Sequence, residues 1–430
     1  MTATLAVLLD DMTAGALSRL HGGRLSFEYA DKYRRRPDAT PLSASMPVQI
    51  RSHPDHLITP WLWNLLPDNE AVIDRWARQF QVSSSSPFSL LATPIGQDCA
   101  GAVRFVKPED LEQATNRQGA VTWLTNDDIA QRIKDLKNDS TAWLGRTFTG
   151  QFSLAGAQAK TALLFQKGRW GVPHGSIPTT HILKPAISGF TDHELNEHLC
   201  LKAARLAGLT VVDSQVMKFG DESAIVIVRY DRVEIDGHTS RVHQEDLCQA
   251  LGIPPTRKYQ RDGGPGPSDI VALFRRTMSP ENSDKATGQF VDALAWNWLI
   301  GGTDAHAKNY SIFLANRDLH FAPLYDVASS LPYDMHERKL RLAMKIGKRY
   351  DMTLTRNSWS DAASLMGLHE DSVLSRVREL AIRAPEAFAE AARTDRSELD
   401  SKLPGLLVDL VADRARRCVR ALDGTRSQPD

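Results

Sequence analysis

The sequence predicts an α+β chain: a small N-terminal subdomain over 1–110, a β-rich lobe over 120–232 and a mostly helical lobe over 233–423. Three observations carry this. Short apolar runs of strand length lie at 3–9, 160–165, 181–183 and 224–228, all in the first part of the chain. From about residue 290 helical periodicity takes over, with Val291, Leu294, Ala295 and Trp298 at i, i+3, i+4 and i+7. Between that helix and the next apolar run lies a short polar loop, Gly301 to Asn309, rich in groups able to bind or move protons.

At 430 residues the chain is long enough for two or three domains. Hydrophobic residues make up 42% and charged residues 24%, the balance of a globular protein rather than a disordered one. Lys plus Arg and Asp plus Glu both total 52, so no overall field draws the chain to nucleic acid or membrane, and any DNA contact has to come from a local patch. Cys99, Cys200, Cys248 and Cys418 are scattered without a CxxC pair, which argues against a zinc site or a disulfide framework and suits a reducing cytoplasm. Met1 to Asp10 lacks a basic n-region, and no run of ~18 apolar residues occurs, so neither a secretion signal nor a membrane span is expected.

In order along the chain, residues 3–9 and 23–29 around Gly22-Gly23 suggest a small antiparallel sheet. Pro41 to Pro47 reads as an extended crossing, and Trp61 to Phe80 as a helical region whose Trp61, Trp63 and Leu66 belong to the core. Ser83 to Ser86 is a solvated loop, and the polar stretch 107–122 reads as a linker. Phe148 to Ser153, a bend at 154–158 and a strand from Lys160 to Phe165 form an expected hairpin, with a second turn at Lys167-Gly168 leading to Trp170. His181 to Pro185 is a short strand carrying Lys184. Thr191 to Glu194 reads as a capping box opening a helix that Gly208 ends. Ala224 to Val228 is a buried strand leading into Arg229-Tyr230-Asp231-Arg232. Trp359 to about Leu422 is helical, with Arg414, Arg416, Arg417 and Arg420 forming either a solvated face or a DNA-facing patch. The tail after Asp423 is expected to fray.

The chemistry concentrates at 301–326. Asp304 follows the helix, Asn309 comes five residues later, and a hairpin turned at Ala315 to Asp318 returns a second carboxylate, Asp326. Phosphoryl transfer needs a group to take the acceptor's proton and hard oxygen ligands for magnesium. Asp304 suits the first role, and Asn309 and Asp326 the second. The Asp-to-Asn offset equals that of the protein-kinase catalytic loop. For any one of these residues, an Asx turn without chemistry is the alternative.

Thr303 to Asn309, Phe152 to Lys160 and Leu324-Tyr325-Asp326 together resemble the HipA family, bacterial serine/threonine kinases that act as toxins of type II toxin–antitoxin modules. The likeness covers nearly the whole chain, including 27–47 and 63–68, which resemble the family's N-terminal subdomain. It implies a two-lobed, protein-kinase-like fold that binds ATP and Mg2+. The implied nucleotide contacts are the loop of Ala155, Gly156, Ala157, Gln158, Ala159 and Lys160, the strand lysine Lys184, and the hinge of Val228, Arg229 and Tyr230. His306, Ala307, Lys308, Asn309, Tyr325 and Asp326 complete them, with Asn309 and Asp326 also on the metal. Asp304 becomes the catalytic base and Ser153 an autophosphorylation site.

HipA proteins often carry an acidic residue where Val228 stands, so a hinge contact here has to come from backbone. Glu197, with Glu194 occupied in capping, is the candidate partner of Lys184. His243 to Gln249, Lys258-Tyr259 and Gly263-Gly264-Pro265 also resemble the family without a derivable role. The resemblance further implies a translation substrate of the aminoacyl-tRNA synthetase type, a HipB-like helix-turn-helix antitoxin, and operator DNA reached through that complex. The other readings are a small-molecule kinase and a kinase-fold regulatory protein acting through antitoxin and DNA.

Overall fold

The structure, a computed structural model, describes residues 3–145, 150–315, 318–333, 339–397 and 399–424. The chain forms two compact units: Met1–Ile187 with Met217–Pro255 and Ile312–Leu319, and Ser188–Val216 with Thr256–Ser311 and His320–Asp430.

The first unit opens with a five-stranded sheet ordered Ser52–Pro54, Leu25–Tyr29, Met12–Arg19, Ala3–Leu9, Val103–Val106. The strands expected at 3–9 and 23–29 do not pair with each other; Met12–Arg19 lies between them. Its small residues conceal the alternation, yet they are what the site needs. A Cβ on Gly15 would stand 2.2 Å from the Glu28 carbonyl oxygen. Helices Asp55–Leu65 and Glu70–Phe80 follow, with Trp61, Leu66 and Trp76 fully buried, while Trp63 is half-buried against the same core. Ser86 caps the next helix, its hydroxyl accepting from the Ser89 N–H.

A second sheet in this unit runs in the order Glu222–Val228, His181–Lys184, Thr161–Gln166, Arg169–Gly175, Gly119–Leu124. Lys167 (φ 51°) and Gly168 (φ 76°) both lie in the left-handed region and turn the hairpin between 166 and 169. The hairpin expected between 148–153 and 160–165 is corrected here. Residues 148 and 149 lie outside the described residues, and Ser153 instead makes a parallel bridge to Cys99, its N–H donating to the Asp98 carbonyl at 2.9 Å. The expected linker is also corrected: it contains the helix Leu111–Thr115 and the strand Gly119–Leu124, which pairs along its length with Arg169–Gly175. That strand is a largely exposed edge of the sheet.

The second unit is mostly helical. Glu370–Arg393 packs against His193–Leu206, Pro280–Ile300, Arg356–Met366 and Leu403–Leu422 around Trp296, Trp298 and Trp359. A hairpin the sequence did not announce, Arg341–Ile346 with Arg349–Asp351, turns at Gly347 (φ 62°). The capping box expected at 191–194 does not form. Asp192 is left-handed (φ 54°) and its carboxylate accepts from the Ser401 hydroxyl at 2.5 Å. Glu194 and Glu197 are buried. Arg414 does not belong to a surface patch either: it is buried, and its guanidinium donates to the Trp298 carbonyl at 2.8 and 3.0 Å. Arg416 and Arg417 pair with Asp413 on the same helix. The tail from 425 and the turn residues 316–317 lie outside the described residues. Among the described residues no helix is long and apolar enough to cross a membrane.

Candidate active site

Asp304 stands where it does because a helix stops sharply. Pro280–Ile300 ends at Gly301 (φ 67°), whose N–H bonds back to the Asn297 and Trp298 carbonyls. A Cβ on Gly301 would lie 2.8 Å from Leu331, and one on Gly302 2.4 Å from Asn297 Oδ1. Both glycines are therefore fixed by close approach. The loop then braces itself: His306 N–H donates to the Asp304 carbonyl at 2.8 Å, Asn309 N–H to the His306 carbonyl at 2.9 Å, and Asn309 Nδ2 to the Asp304 carbonyl at 2.7 Å. The Asp304 side chain stays 68% exposed, facing His306 Nε2 at 3.9 Å and accepting from the Tyr259 hydroxyl. A carboxylate on a rigid backbone, open to solvent, can take a proton from an incoming hydroxyl.

Asp326 is held from several sides. Leu324 lies in a parallel bridge with Val211, its N–H on the Thr210 carbonyl at 2.9 Å and its carbonyl accepting from Val212 N–H at 3.0 Å. Tyr325 OH donates to the Lys308 carbonyl at 2.8 Å and meets Ser311 Oγ at 2.6 Å. Further on, Asn196 exchanges two hydrogen bonds with the Ser329 backbone, and Ser329 Oγ donates to the Ile300 carbonyl at 2.6 Å. Asp326 itself has φ 53°, a strained conformation for a residue other than glycine, of the kind that collects at working sites.

Asn309 Nδ2 is committed as a donor, which leaves Oδ1 as the atom able to meet a cation. No group of three or more His, Cys, Asp or Glu residues suited to a metal occurs among the described residues. Mg2+ does not need such a group, since it takes one or two protein oxygens and completes its shell with phosphate and water.

Of the other expected contacts in this unit, Ala307 is fully buried and its N–H donates to the Lys258 carbonyl at 3.2 Å, bracing the loop. His306 and Lys308 are buried as well, with the His306 ring edge-on to Tyr259 at 4.8 Å.

The first unit carries the phosphate-loop candidates. Residues 156–158 form the bend, with Gly156 at φ 102°. Lys160 Nζ closes it from inside, donating to the Ala155 carbonyl at 2.7 Å and lying over the Trp143 ring at 4.7 Å. A Cβ on Gly156 would meet that Nζ at 2.6 Å. Gln158 Nε2 donates to the Pro185 carbonyl at 3.4 Å. Among the described residues the N–H groups of Ala155, Gly156, Ala157, Gln158 and Ala159 have no acceptor, so the bend offers a row of donors of the kind that receives anions. Lys184 is buried on a strand inside the sheet, between Thr161–Gln166 and Glu222–Val228.

The expected hinge changes character. Val228 is 40% exposed, whereas Arg229 is engaged within the chain: its N–H donates to Thr180, its carbonyl accepts from Arg232 N–H, and its buried guanidinium binds Asp98 and Asp231. Tyr230 donates to Gln244 Oε1 at 3.0 Å.

Residues 152–388 match the family model described as the HipA-like C-terminal domain, and residues 5–106 the one described as the HipA N-terminal domain. The chain belongs to the HipA family. It is 33% identical over 417 residues to the provisionally named kinase Y4mE of Sinorhizobium fredii, covering 96% of this chain and 97% of the relative. It is 29% identical to the serine/threonine-protein kinase toxin HipA of Shewanella oneidensis, covering 90% and 89%. Among solved structures, HipA from the Shewanella oneidensis HipA, HipB and operator DNA complex matches with TM-score 0.84 and 25% identity, over 99% of this chain and all of that one. The family likeness makes this chain a serine/threonine-protein kinase of HipA type, mixed helix and sheet, with the HipA N-terminal subdomain.

Sequence reasoning missed Tyr259 on Asp304 and Asn196 on Ser329. The Lys258-Tyr259 motif was the one available signal, and it carried no role until its loop was seen against 303–307.

Proposed function

We propose that this chain transfers the γ-phosphoryl group of magnesium–ATP to a serine or threonine of a protein, and that it is a toxin held by a HipB-like helix-turn-helix antitoxin. The observation that carries the reading is Asp304: an exposed carboxylate on a loop cross-braced by Asn309 and His306. Asp304 takes the proton of the acceptor hydroxyl. Asn309 Oδ1 and the Asp326 carboxylate hold Mg2+, which neutralises charge on the phosphates. The amides of Ala155 to Ala159 receive phosphate oxygens, and Lys184 the remaining phosphate charge. Val228 and Tyr230 stand at the adenine. Ser153 is the autophosphorylation site.

The substrate is a component of translation, of aminoacyl-tRNA synthetase type, and operator DNA is met through the antitoxin complex, as the Shewanella oneidensis complex suggests. Four buried cysteines without a disulfide support a cytoplasmic setting. Incubating the purified protein with radiolabelled ATP, with and without magnesium, tests the reading. Magnesium-dependent label on protein supports it; label only on small molecules overturns it. For the metal, Asp326→Ala should bind ATP no more tightly with magnesium than without, by titration calorimetry. A wild-type magnesium response in that variant removes Asp326 from the metal.

A further inference from the structure

We propose that a cleft beside Asp304 seats the acceptor segment of the protein substrate and selects a carboxylate side chain close to the acceptor hydroxyl. This rests on the kinase reading above. The cleft, about 450 Å³, lies wholly within the second unit, and its lining includes Tyr259, Arg261, Asp304, Arg341, Leu342 and Tyr350. Asn309 and Asp326, the residues assigned to the metal and phosphates, do not line it. It therefore approaches Asp304 from the side left for the hydroxyl that is to be phosphorylated.

The charged groups that line it are two guanidinium groups, Arg261 and Arg341, with Asp304 as the one acid. Arg261 is 66% exposed, reaches Asp262 only at 3.8 Å, and lies over the Tyr259 ring at 5.0 Å. Lys345 covers Tyr350 at 5.1 Å, and its N–H donates to Gln260 Oε1 at 2.7 Å, tying its strand to the segment of Arg261. The Arg261 guanidinium, fixed over an aromatic face, is preorganised to receive a carboxylate in fork geometry, and Arg341 lines the same cleft. Leu342 and Ala343 give the cleft an apolar floor suited to a peptide.

Tyr259 occupies one oxygen of Asp304, Oδ1, which leaves Oδ2 for the acceptor. In the transfer the acceptor oxygen bonds to the γ-phosphorus, the bond from that phosphorus to the β,γ-bridging oxygen breaks, ADP leaves with its electron pair, and the acceptor proton passes to Asp304. An acidic side chain held by Arg261 and Arg341 fixes the hydroxyl at that carboxylate.

The test uses the full chain with magnesium–ATP and paired serine peptides, identical except that Glu and Asp near the serine are replaced by Gln and Asn. The acidic peptide should be preferred about tenfold in kcat/KM, through KM, with the preference shrinking as salt rises. In Arg261→Ala with Arg341→Ala the ratio between the paired peptides should fall toward one, each variant being its own reference. Equal rates on both peptides overturn the proposal, as does a preference that survives the double substitution. Inhibition by a short oligonucleotide without any acidic-peptide preference overturns it in favour of a nucleic-acid surface. If no peptide is labelled while Asp304-dependent ATP turnover persists, the cleft assignment fails and the kinase reading stands. If ATP is not turned over at all, the kinase reading itself fails.

Discussion

The first unit buries a cluster of charges around Asp98, whereas the second holds Asp304 as an exposed carboxylate. Asp98 is fully buried: Arg232, Arg229 and Arg241 reach it at 2.9 to 3.3 Å, and Thr179 donates to it twice. Burial alone would raise its carboxyl, but the three guanidinium groups outweigh burial and hold it well below the usual range. Asp231 receives Arg229, Arg232 and the Gly101 N–H. Asp304 shares its carboxylate with one tyrosine and remains open. Both are polar clusters in sequence. The difference is that one has its partners inside the chain, while the other is braced through its backbone and leaves the side chain for an outside partner.

Asp304→Asn gives the largest expected effect on chemistry. It keeps the loop's backbone bonds and removes the base, so phosphoryl transfer should fall by ~10²- to 10⁴-fold while ATP binding holds. Single-turnover transfer alongside calorimetric ATP titration reads both, and wild-type turnover in the variant would remove Asp304 as the base.

Asp98→Ala attacks the other cluster. It leaves Arg232, Arg229 and Arg241 buried without their shared acceptor, and should cost ~3–5 kcal/mol in urea unfolding. The sign with pH follows from the lowered carboxyl. Its contribution is full above the ordinary value of 3.8 and is lost as pH falls below that toward the lowered native value. A near-neutral urea midpoint for the variant would show that Asp98 is not the centre of the network.

This contrast also explains what was legible in the sequence. The loop at 301–309 and the returning Asp326 could be read because the chemistry needs fixed residue types at short spacing. Arg229-Tyr230-Asp231-Arg232 could not, because its meaning depends on Asp98, over a hundred residues away, and no local pattern encodes that pairing. The same holds for Arg414, whose neighbours in sequence are surface charges while its own partner is the Trp298 carbonyl. Met12–Arg19 was hidden for another reason: close strand approach demands small residues such as Gly15, and these blur the alternation. Lys184 lies on a strand inside the sheet, a placement set by the strand order and not by any local pattern.

Glu245 sharpens the comparison, since it is a buried carboxyl in the first unit with no cation among its bonded partners. Burial pushes it up to about 8, although Ala44 N–H, the Ser43 hydroxyl and Trp61 Nε1 all favour the ionised form, with Asp246 opposing it. Between the ordinary 4.5 and about 8 the folded chain therefore holds a proton that the unfolded chain has lost. Stability should decline as pH rises through that window, by at most about 1.4 kcal/mol per pH unit, and flatten above it. Glu245→Gln should remove this slope. An unchanged pH profile of the urea midpoint in the variant would count against the assignment.

The smallest expected effect on stability comes from Ser153, which is built like the first cluster and yet proposed for chemistry. It is 0% exposed, its hydroxyl donating to the Leu65 carbonyl at 2.8 Å and its N–H to Asp98. Ser153→Ala forfeits one buried hydrogen bond, about 1 kcal/mol. Phosphorylation is a different matter. A phosphoserine adds roughly −1.5 to −2 charges, and a fully buried site with a single carbonyl partner has no donors for its three oxygens. The phosphorylated segment therefore has to leave, carrying with it the amides of 155–159 that lie two residues further on. Modification should thus abolish ATP binding, whereas the alanine substitution should preserve it. Mass spectrometry after incubation with magnesium–ATP decides whether the site is used: phosphate at Ser153 in wild type and none in Asp304→Asn is the expected pattern. Wild type that stays unmodified there while labelling another protein would return Ser153 to the architecture around Asp98.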